Sequence, residues 1–297
     1  MNSKYEEYKK LINDHLLDFL PVIDEKSKTL YDAMKYSLTS GGKRLRSVLC
    51  LSACDFSGGD IIEALPYACA IEYIHTYSLI HDDLPCMDDD DYRRGVLTNH
   101  KVYGEAISLL AGDGLLNSAF EIISKDQLLY LDNLNKLIPR IKASYEIAKG
   151  AGVRGMISGQ TCDIEGEHQK YSFEMVEYLH LNKTGALIKS AIISGLYLGN
   201  ASNDTIDNFN NYSEYLGLAF QIKDDILDVT STFENLGKDI NSDVNKEKNT
   251  FVSILGLEKA NEKLIELTKK AKDSISSYYD NAEFFNDLAD ELYLRNK

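Results

Sequence analysis

Hydrophobic positions along this chain recur at three- and four-residue intervals, stretch after stretch. Residues 4–19 place Tyr8, Leu11, Ile12, His15, Leu16 and Phe19 on one face of a predicted helix. Residues 27–40 repeat the pattern with Leu30, Tyr31, Met34 and Leu38, and the Gly41-Gly42 pair predicts a stop. Residues 61–84 read as a long, largely apolar helix through Ile71, Ile74, Tyr77 and Ile80. Pro66 falls early in it, and Pro85 ends it, because a proline disfavours the α conformation in the residue before it. Further helices are predicted over 102–124, 138–149, 173–198 with a break near Lys183, 205–230 with Asp204 as N-cap, 257–279 and 284–295. Strand-like alternation is absent, and no repeat, charge block or low-complexity linker marks a boundary. The expectation is one all-α unit over 1–297, a large helical bundle with a broad core.

Composition agrees with that expectation and narrows the chemistry. Apolar residues make up 44%, enough for a sizeable core, and only four prolines occur in 297 positions. A formal charge of −15 argues against nucleic acid or an anionic membrane as partner. No run of 18 apolar residues occurs, so no membrane span is expected. The N-terminal MNSKYEEYKK is too charged for a signal peptide. Cys50, Cys54, Cys69, Cys86 and Cys162 lack paired spacing and read as free thiols in a reducing, cytoplasmic setting.

Two aspartate clusters carry the candidate chemistry. Asp82-Asp83-Leu84-Pro85-Cys86-Met87-Asp88 runs on through Asp89, Asp90 and Asp91 to Arg93-Arg94-Gly95. Asp224-Asp225-Ile226-Leu227-Asp228 forms the second. On a helix, Asp224 and Asp228 are i and i+4 and project from one face, with only Lys223 nearby to offset their repulsion. Most acidic runs are solvated faces. These two instead end the apolar stretches YSLIHDD and LGLAFQIKDD, where a buried face would reach a cavity mouth. An EF-hand is excluded by Tyr92 and by the missing glycine at the sixth loop position. Oxygen-only donors favour Mg²⁺ or Mn²⁺, and Mg²⁺ takes a few carboxylates together with substrate phosphates.

The cations point the same way. Of seven arginines, four are Arg44, Arg46, Arg93 and Arg94, in two short segments. Arginine's planar fork suits phosphate. Gly41-Gly42-Lys43-Arg44-Leu45-Arg46 sets a flexible pair before three cations at a predicted helix start, a suitable place for an anion.

Together, Lys43 to Arg46, the six-position DDxxxxD with its RRG, and FQxxDDxxD at Phe220–Asp228 resemble the aspartate-rich motifs of the trans-isoprenyl diphosphate synthases. Gly159-Gln160-x-x-Asp163, Lys183-Thr184-Gly185, Leu236-Gly237-Lys238 and Lys248-x-Thr250 extend the resemblance over nearly the whole chain. The form of the first motif is similar to bacterial-type farnesyl diphosphate synthases, and plant-type geranylgeranyl diphosphate synthases share it. The resemblance implies the isoprenoid synthase fold around a central cavity, a homodimer, three Mg²⁺ ions per site and head-to-tail prenyl transfer. It implies metal ligation by Asp82, Asp83, Asp88, Asp224 and Asp228. It implies isopentenyl diphosphate binding by Lys43, Arg46, His75 and Arg94, and allylic diphosphate binding by Arg93, Lys183, Gln221, Lys238 and Lys248. Lys183, Thr184, Gln221 and Lys238 are the expected catalytic set, with the Lys183 carbonyl, the Thr184 hydroxyl and the Gln221 amide facing the allylic cation. Lysine 43, Arg46 and Arg94 argue against a class I terpene cyclase on the same fold. Two complete motifs argue against an inactive partner subunit. Two positions depart from the family pattern: Ser47 and Asn241 stand where proline and glycine are usual.

Product length is expected to depend on the helix leading into Asp82. Ser78 lies one turn before it, roughly 6 Å along the axis, and Tyr77 about 7.5 Å. A bulky Tyr77 can floor the apolar cavity, and an aromatic here resembles the farnesyl enzymes. A C15 product is therefore expected, with the helix around Leu109, Leu110 and Leu115 as the alternative floor.

Overall fold

The computed structural model describes residues 3–22, 24–167, 169–230 and 249–295. The chain forms helix after helix: α1 Ser3–His15, α2 Lys28–Thr39, α3 Leu45–Phe56 and α4 Ile61–Asp82. A two-stranded antiparallel hairpin follows, β1 Tyr92–Arg93 with β2 Val96–Leu97. Then come α5 Asn99–Tyr103, α6 Glu105–Leu128, α7 Leu134–Ala151, α8 Met156–Glu165 and α9 Phe173–His180. A single π-helical turn, Leu181–Gly185, joins α9 to α10 Ala186–Leu198, and α11 runs Asn203–Thr230. The described chain closes with α12 Phe251–Leu255, α13 Leu257–Ser274, a 3₁₀ segment Ser276–Ala282 and α14 Glu283–Leu294.

The sequence explains which helices are central. Helix α4 is apolar on nearly every side, as a fully enclosed helix must be, and it packs against α3 and α6, with α2, α7 and α10 also touching it. Asp60 caps it, accepting the Ile62 N–H at 2.8 Å. Helix α10 is equally apolar and lies between α3, α7 and α11. Helix α13 is amphipathic instead: Ala260, Leu264, Leu267 and Ala271 face inward, and the helix packs along α11. The two long helices ending in acidic motifs, α4 and α11, are thus held by the main core and by a smaller cluster around Ile222, Ile226 and Phe251. This is the all-α bundle that the sequence resemblance implies, with one short hairpin added.

Several expectations change in detail. Helix α4 ends at Asp82, not Leu84. Helices α3 and α8 are additional, and the segment expected over 102–124 divides into α5 and α6. The hairpin supplies strands where none was expected. Asp204 lies in the first turn of α11, and the cap is Ser202, whose hydroxyl accepts the Thr205 N–H at 3.2 Å. Helix α6 is long and apolar enough to cross a membrane by length and composition, although Asp113 interrupts its apolar run; 44% of its most apolar window is buried, and it packs along α4. All five cysteines are free, four of them buried.

Candidate active site

The first acidic motif sits where α4 stops. Beyond Asp82 the chain folds back on itself: the Asp88 N–H donates to the Asp82 carbonyl at 2.9 Å, and the N–H groups of Met87 and Asp89 donate to Leu84. This tight turn returns Asp88 to Asp82 across six positions, which helical spacing could not do. Asp82 Oδ1 accepts the Gln160 side-chain amide of α8 at 2.6 Å. The RRG that follows forms the hairpin. Arg94 (φ 56°) and Gly95 (φ 80°) are its two turn residues, both left-handed as a two-residue I′ turn requires, and they project Arg93 and Arg94 back toward α4.

The second motif occupies the C-terminal half of α11. Asp224 is 41% exposed, whereas Asp225 and Asp228 are each 2% exposed. Asp225 serves the fold: its carboxylate accepts the Gln221 amide at 2.9 Å and the Phe251 N–H at 2.8 Å, capping α12. Between the motifs lies the π turn. π-helical turns are uncommon and often occur at functional sites. Lys183 Nζ pairs with Asp163 of α8 at 2.6 Å, and the Thr184 hydroxyl donates to Gln221 Oε1 at 3.2 Å. Gly159 permits this approach, since a Cβ there would lie 2.0 Å from the Lys183 nitrogen. A sequence of contacts therefore joins the motifs: Asp82 to Gln160, through α8 to Asp163, on to Lys183 and Thr184, then Gln221 and Asp225.

A group of cations lies on the α3 side. Arg46 Nη1 lies 3.5 Å from His75 Nε2. The Arg94 guanidinium donates to the Gly41 carbonyl and covers Gly42, where a Cβ would come within 2.7 Å of it. Burial holds His75 well below the usual histidine range, and the positive charges of Arg46, Arg94, Arg44 and Arg93 push it further down. Its imidazole is neutral. Burial also pulls Arg46 and Arg94 below the usual guanidinium value. Cations gathered at that electrostatic cost are suited to receive an anion.

The structure brings Lys183, Thr184 and Gln221 together, and likewise Arg46, His75 and Arg94. Lys43 is exposed on the loop that enters α3, whose first turn carries Arg46. Lys238, Lys248 and Asn241 lie outside the described residues. Three expectations are corrected. Asp83 does not present itself for a cation: its Oδ1 accepts two N–H groups of Arg93, one from Nε at 2.9 Å. Burial pushes its carboxyl up to about 6. Arg44 is no anion ligand, because its fork is spent on Glu72, Asn13 and Leu38. The offset to Asp224 comes from Arg295, not Lys223; Arg295 Nη2 donates to Asp224 Oδ1 at 2.5 Å and lies over the Phe220 ring. Reading the sequence missed Arg295, whose one signal is its place among three arginines outside the clusters, and it gave Gln160 no partner.

No three acidic, histidine or cysteine side chains form a ready cation cage among the described residues. The donors nevertheless fit a hard cation that brings its own ligands. Each motif offers carboxylate oxygens only, and Mg²⁺ takes one or two of these from protein when phosphates and water complete its shell.

Fold and site together define a prenyl diphosphate synthase. The description "Polyprenyl synthetase" matches residues 27–282, and the chain belongs to that family, as a trans-prenyltransferase of isoprene biosynthesis. It is similar to a farnesyl diphosphate synthase of Micrococcus luteus, 42% identical over 96% of this chain and 92% of that one. It is 43% identical to a chloroplastic geranylgeranyl pyrophosphate synthase of Capsicum annuum, over 86% of this chain and 69% of that one. Among solved structures, an FPP/GFPP synthase of Zymomonas mobilis superposes with a TM-score of 0.85 at 33% identity, covering 97% of both chains.

Proposed function

We propose that this enzyme condenses isopentenyl diphosphate with dimethylallyl or geranyl diphosphate, with Mg²⁺ as cofactor, to give the C15 product (2E,6E)-farnesyl diphosphate and diphosphate. Asp82 and Asp88 from one side, and Asp224 and Asp228 from the other, are the carboxylates for the metal. Bound Mg²⁺, for which Mn²⁺ is a chemically reasonable substitute, supplies positive charge against the leaving diphosphate. Lys183 and Arg93 add fixed cations on the allylic side. In the structure they pair with Asp163 and with Asp83 and Asp90, so diphosphate enters in competition with internal carboxylates.

When the allylic C–O bond breaks, the organic fragment becomes a cation that water would trap. The groups beside it are therefore dipoles: Thr184 and Gln221, oriented by their mutual hydrogen bond and by Asp225. Lys43, Arg46, His75 and Arg94 hold isopentenyl diphosphate, whose double bond attacks the cation. The proton lost afterwards goes to the departing diphosphate, so no side chain need serve as base.

The C15 assignment rests on Tyr77. It is 7% exposed, and its ring meets His81 edge-on with centroids 5.6 Å apart. His81 is itself 3.0 Å from the Leu109 carbonyl of α6, so Tyr77 is braced across the α4–α6 contact. Leu109 and Leu110 are about half exposed, which favours Tyr77 over them as the floor, and the buried Leu115 is the alternative that α6 keeps. The similarity to geranylgeranyl synthases supports a second reading, a C20 product. Product analysis of Tyr77→Ala tests the choice. A shift from C15 to C20 or longer is expected, and an unchanged C15 would place the floor elsewhere.

The proposed enzyme is a cytoplasmic homodimer. Leu134, Ile138, Ile141 and Tyr145 form an exposed apolar stripe on α7, each about half exposed or more, suited to a second copy. The free thiols accord with a reducing compartment.

A further inference from the structure

We propose that Glu72 is a positioning residue for isopentenyl diphosphate, anchoring from below the loop and first turn of α3 that present Lys43 and Arg46. This rests on the assignment of Lys43, Arg46, His75 and Arg94 to that substrate.

The loop has an unusual backbone. Gly41 (φ 90°), Gly42 (φ 128°) and Arg44 (φ 55°) all lie at positive φ. Arg44 has a Cβ, and such a residue keeps this conformation only where its surroundings hold it. They do so through its side chain, since Arg44 is only 4% exposed. Nη1 donates to Glu72 Oε1 at 2.7 Å, Nε to Asn13 Oδ1 at 2.9 Å and Nη2 to the Leu38 carbonyl at 2.6 Å. Glu72, 1% exposed, uses its other oxygen to accept the Ser47 hydroxyl at 3.0 Å. Ser47 thus has work to do where the family usually carries proline. A third tie comes from α1, where the Tyr5 hydroxyl donates to the Lys43 carbonyl at 2.6 Å.

The ties alternate with the presenting groups. The Lys43 carbonyl, the Arg44 side chain and the Ser47 hydroxyl are fastened inward. The Lys43 side chain is exposed, and Arg46 reaches His75. Glu72 and His75 are three residues apart on α4, so one helix turn sets both the loop and the imidazole. A buried ion pair adds little stability over a packed apolar pair. What this pair supplies is placement: two long cationic side chains start from a fixed backbone, and less order must be created when the diphosphate arrives.

The experiment is steady-state kinetics with each substrate varied in turn. Glu72→Gln keeps the shape and removes the charge. It should raise KM for isopentenyl diphosphate on the order of 10- to 100-fold, the scale of an ångström-size misplacement. The allylic KM, and kcat at saturating isopentenyl diphosphate, should stay within about twofold. Tyr5→Phe removes one hydroxyl and should raise the same KM by a few-fold, as should Ser47→Ala. These two variants decide the matter if Glu72→Gln loses its helical circular dichroism. Lys43→Ala serves as the control for the pocket. If it leaves KM for isopentenyl diphosphate unchanged, the pocket assignment fails. If it raises that KM while the Glu72, Tyr5 and Ser47 variants do not, the positioning role fails and the pocket stands. Equal losses on both substrates would also overturn the positioning role.

Discussion

Asp82 and Asp224 are the residues on which chemistry should depend most. Asp82→Ala or Asp224→Ala should lower turnover by ~10²–10³-fold or more while leaving helix content unchanged, because each would remove a carboxylate that holds the proposed Mg²⁺ against the leaving group. Near-normal turnover in either would end the metal assignment. Asp90→Ala should cost far less, since no metal is assigned to Asp90, which shares Arg93 with Asp83. A different consequence attaches to His180. It is 6% exposed, stacks on Phe251 with centroids 5.1 Å apart, and neither ring nitrogen has a hydrogen-bond partner. Burial holds its imidazole at about 3, with Asp163 pulling up and Lys183 pushing down, against 6.5 when unfolded. Above 6.5 both states are neutral. As pH falls from there toward 3, only the unfolded chain takes the proton, so His180 should cost stability at about 1.4 kcal/mol per pH unit. Urea unfolding at pH 7 and pH 5 should show this loss, and His180→Phe should reduce it. An equal loss in the variant would mean other groups carry the acid sensitivity. The acidic motifs were legible in the sequence because their neighbours in the chain are their neighbours in space. The roles of Asp83 and Arg295 were not, since a carboxylate's partner 10 or 71 residues away leaves no local mark.

At the scale of elements, the π turn and α8 carry the connection between the two motifs. Gly159→Ala is its sharpest probe. The added methyl would meet Lys183 backbone at 2.0 Å, so α8 and the turn must part, moving Gln160 and Asp163 with them. Activity should fall by roughly 100-fold, the scale of an ångström-size misplacement. Thermal unfolding should show a folded protein, because most of the main core, from α3, α4 and α6, lies away from this contact. Full activity in Gly159→Ala would show that the approach of α8 to the turn is dispensable. Helices with clear apolar stripes, such as α1 and α2, were legible from periodicity, although α1 ends at His15, before the Leu16 and Phe19 of its predicted stripe. Helix α8 was not, because in MISGQTCDIE only Met156, Gly159 and Cys162 are buried and no wide stripe forms. The hairpin escaped because its strands are two residues each, too short for alternation; the Arg94-Gly95 turn was its only sign. The break near Lys183 was visible, though its π geometry was not.

The whole molecule is all-α, and that was legible from repetition of one pattern over nearly the full chain. Assembly is less so, because an exposed stripe and a buried one look alike in sequence; Leu134, Ile138, Ile141 and Tyr145 show as surface only in the fold. Light scattering should give about twice the 33.4 kDa of one chain, and Ile138→Asp with Ile141→Asp should shift it toward the single mass. A wild-type mass of one chain would remove the dimer.

Both acidic motifs are proposed to serve one prenyl transfer that stops at C15. The direct measurement is incubation of the wild-type enzyme with Mg²⁺, isopentenyl diphosphate and each of the C5, C10 and C15 allylic diphosphates in turn, with products identified by mass spectrometry and a chelator-treated control. A C15 diphosphate is expected from the C5 and C10 starters, with isopentenyl diphosphate consumed in step with each five-carbon addition. The C15 starter should be extended little, and no product should form once the metal is removed. A C20 product from all three starters, or turnover that survives the chelator, would overturn the proposed Mg²⁺-dependent C15 transfer.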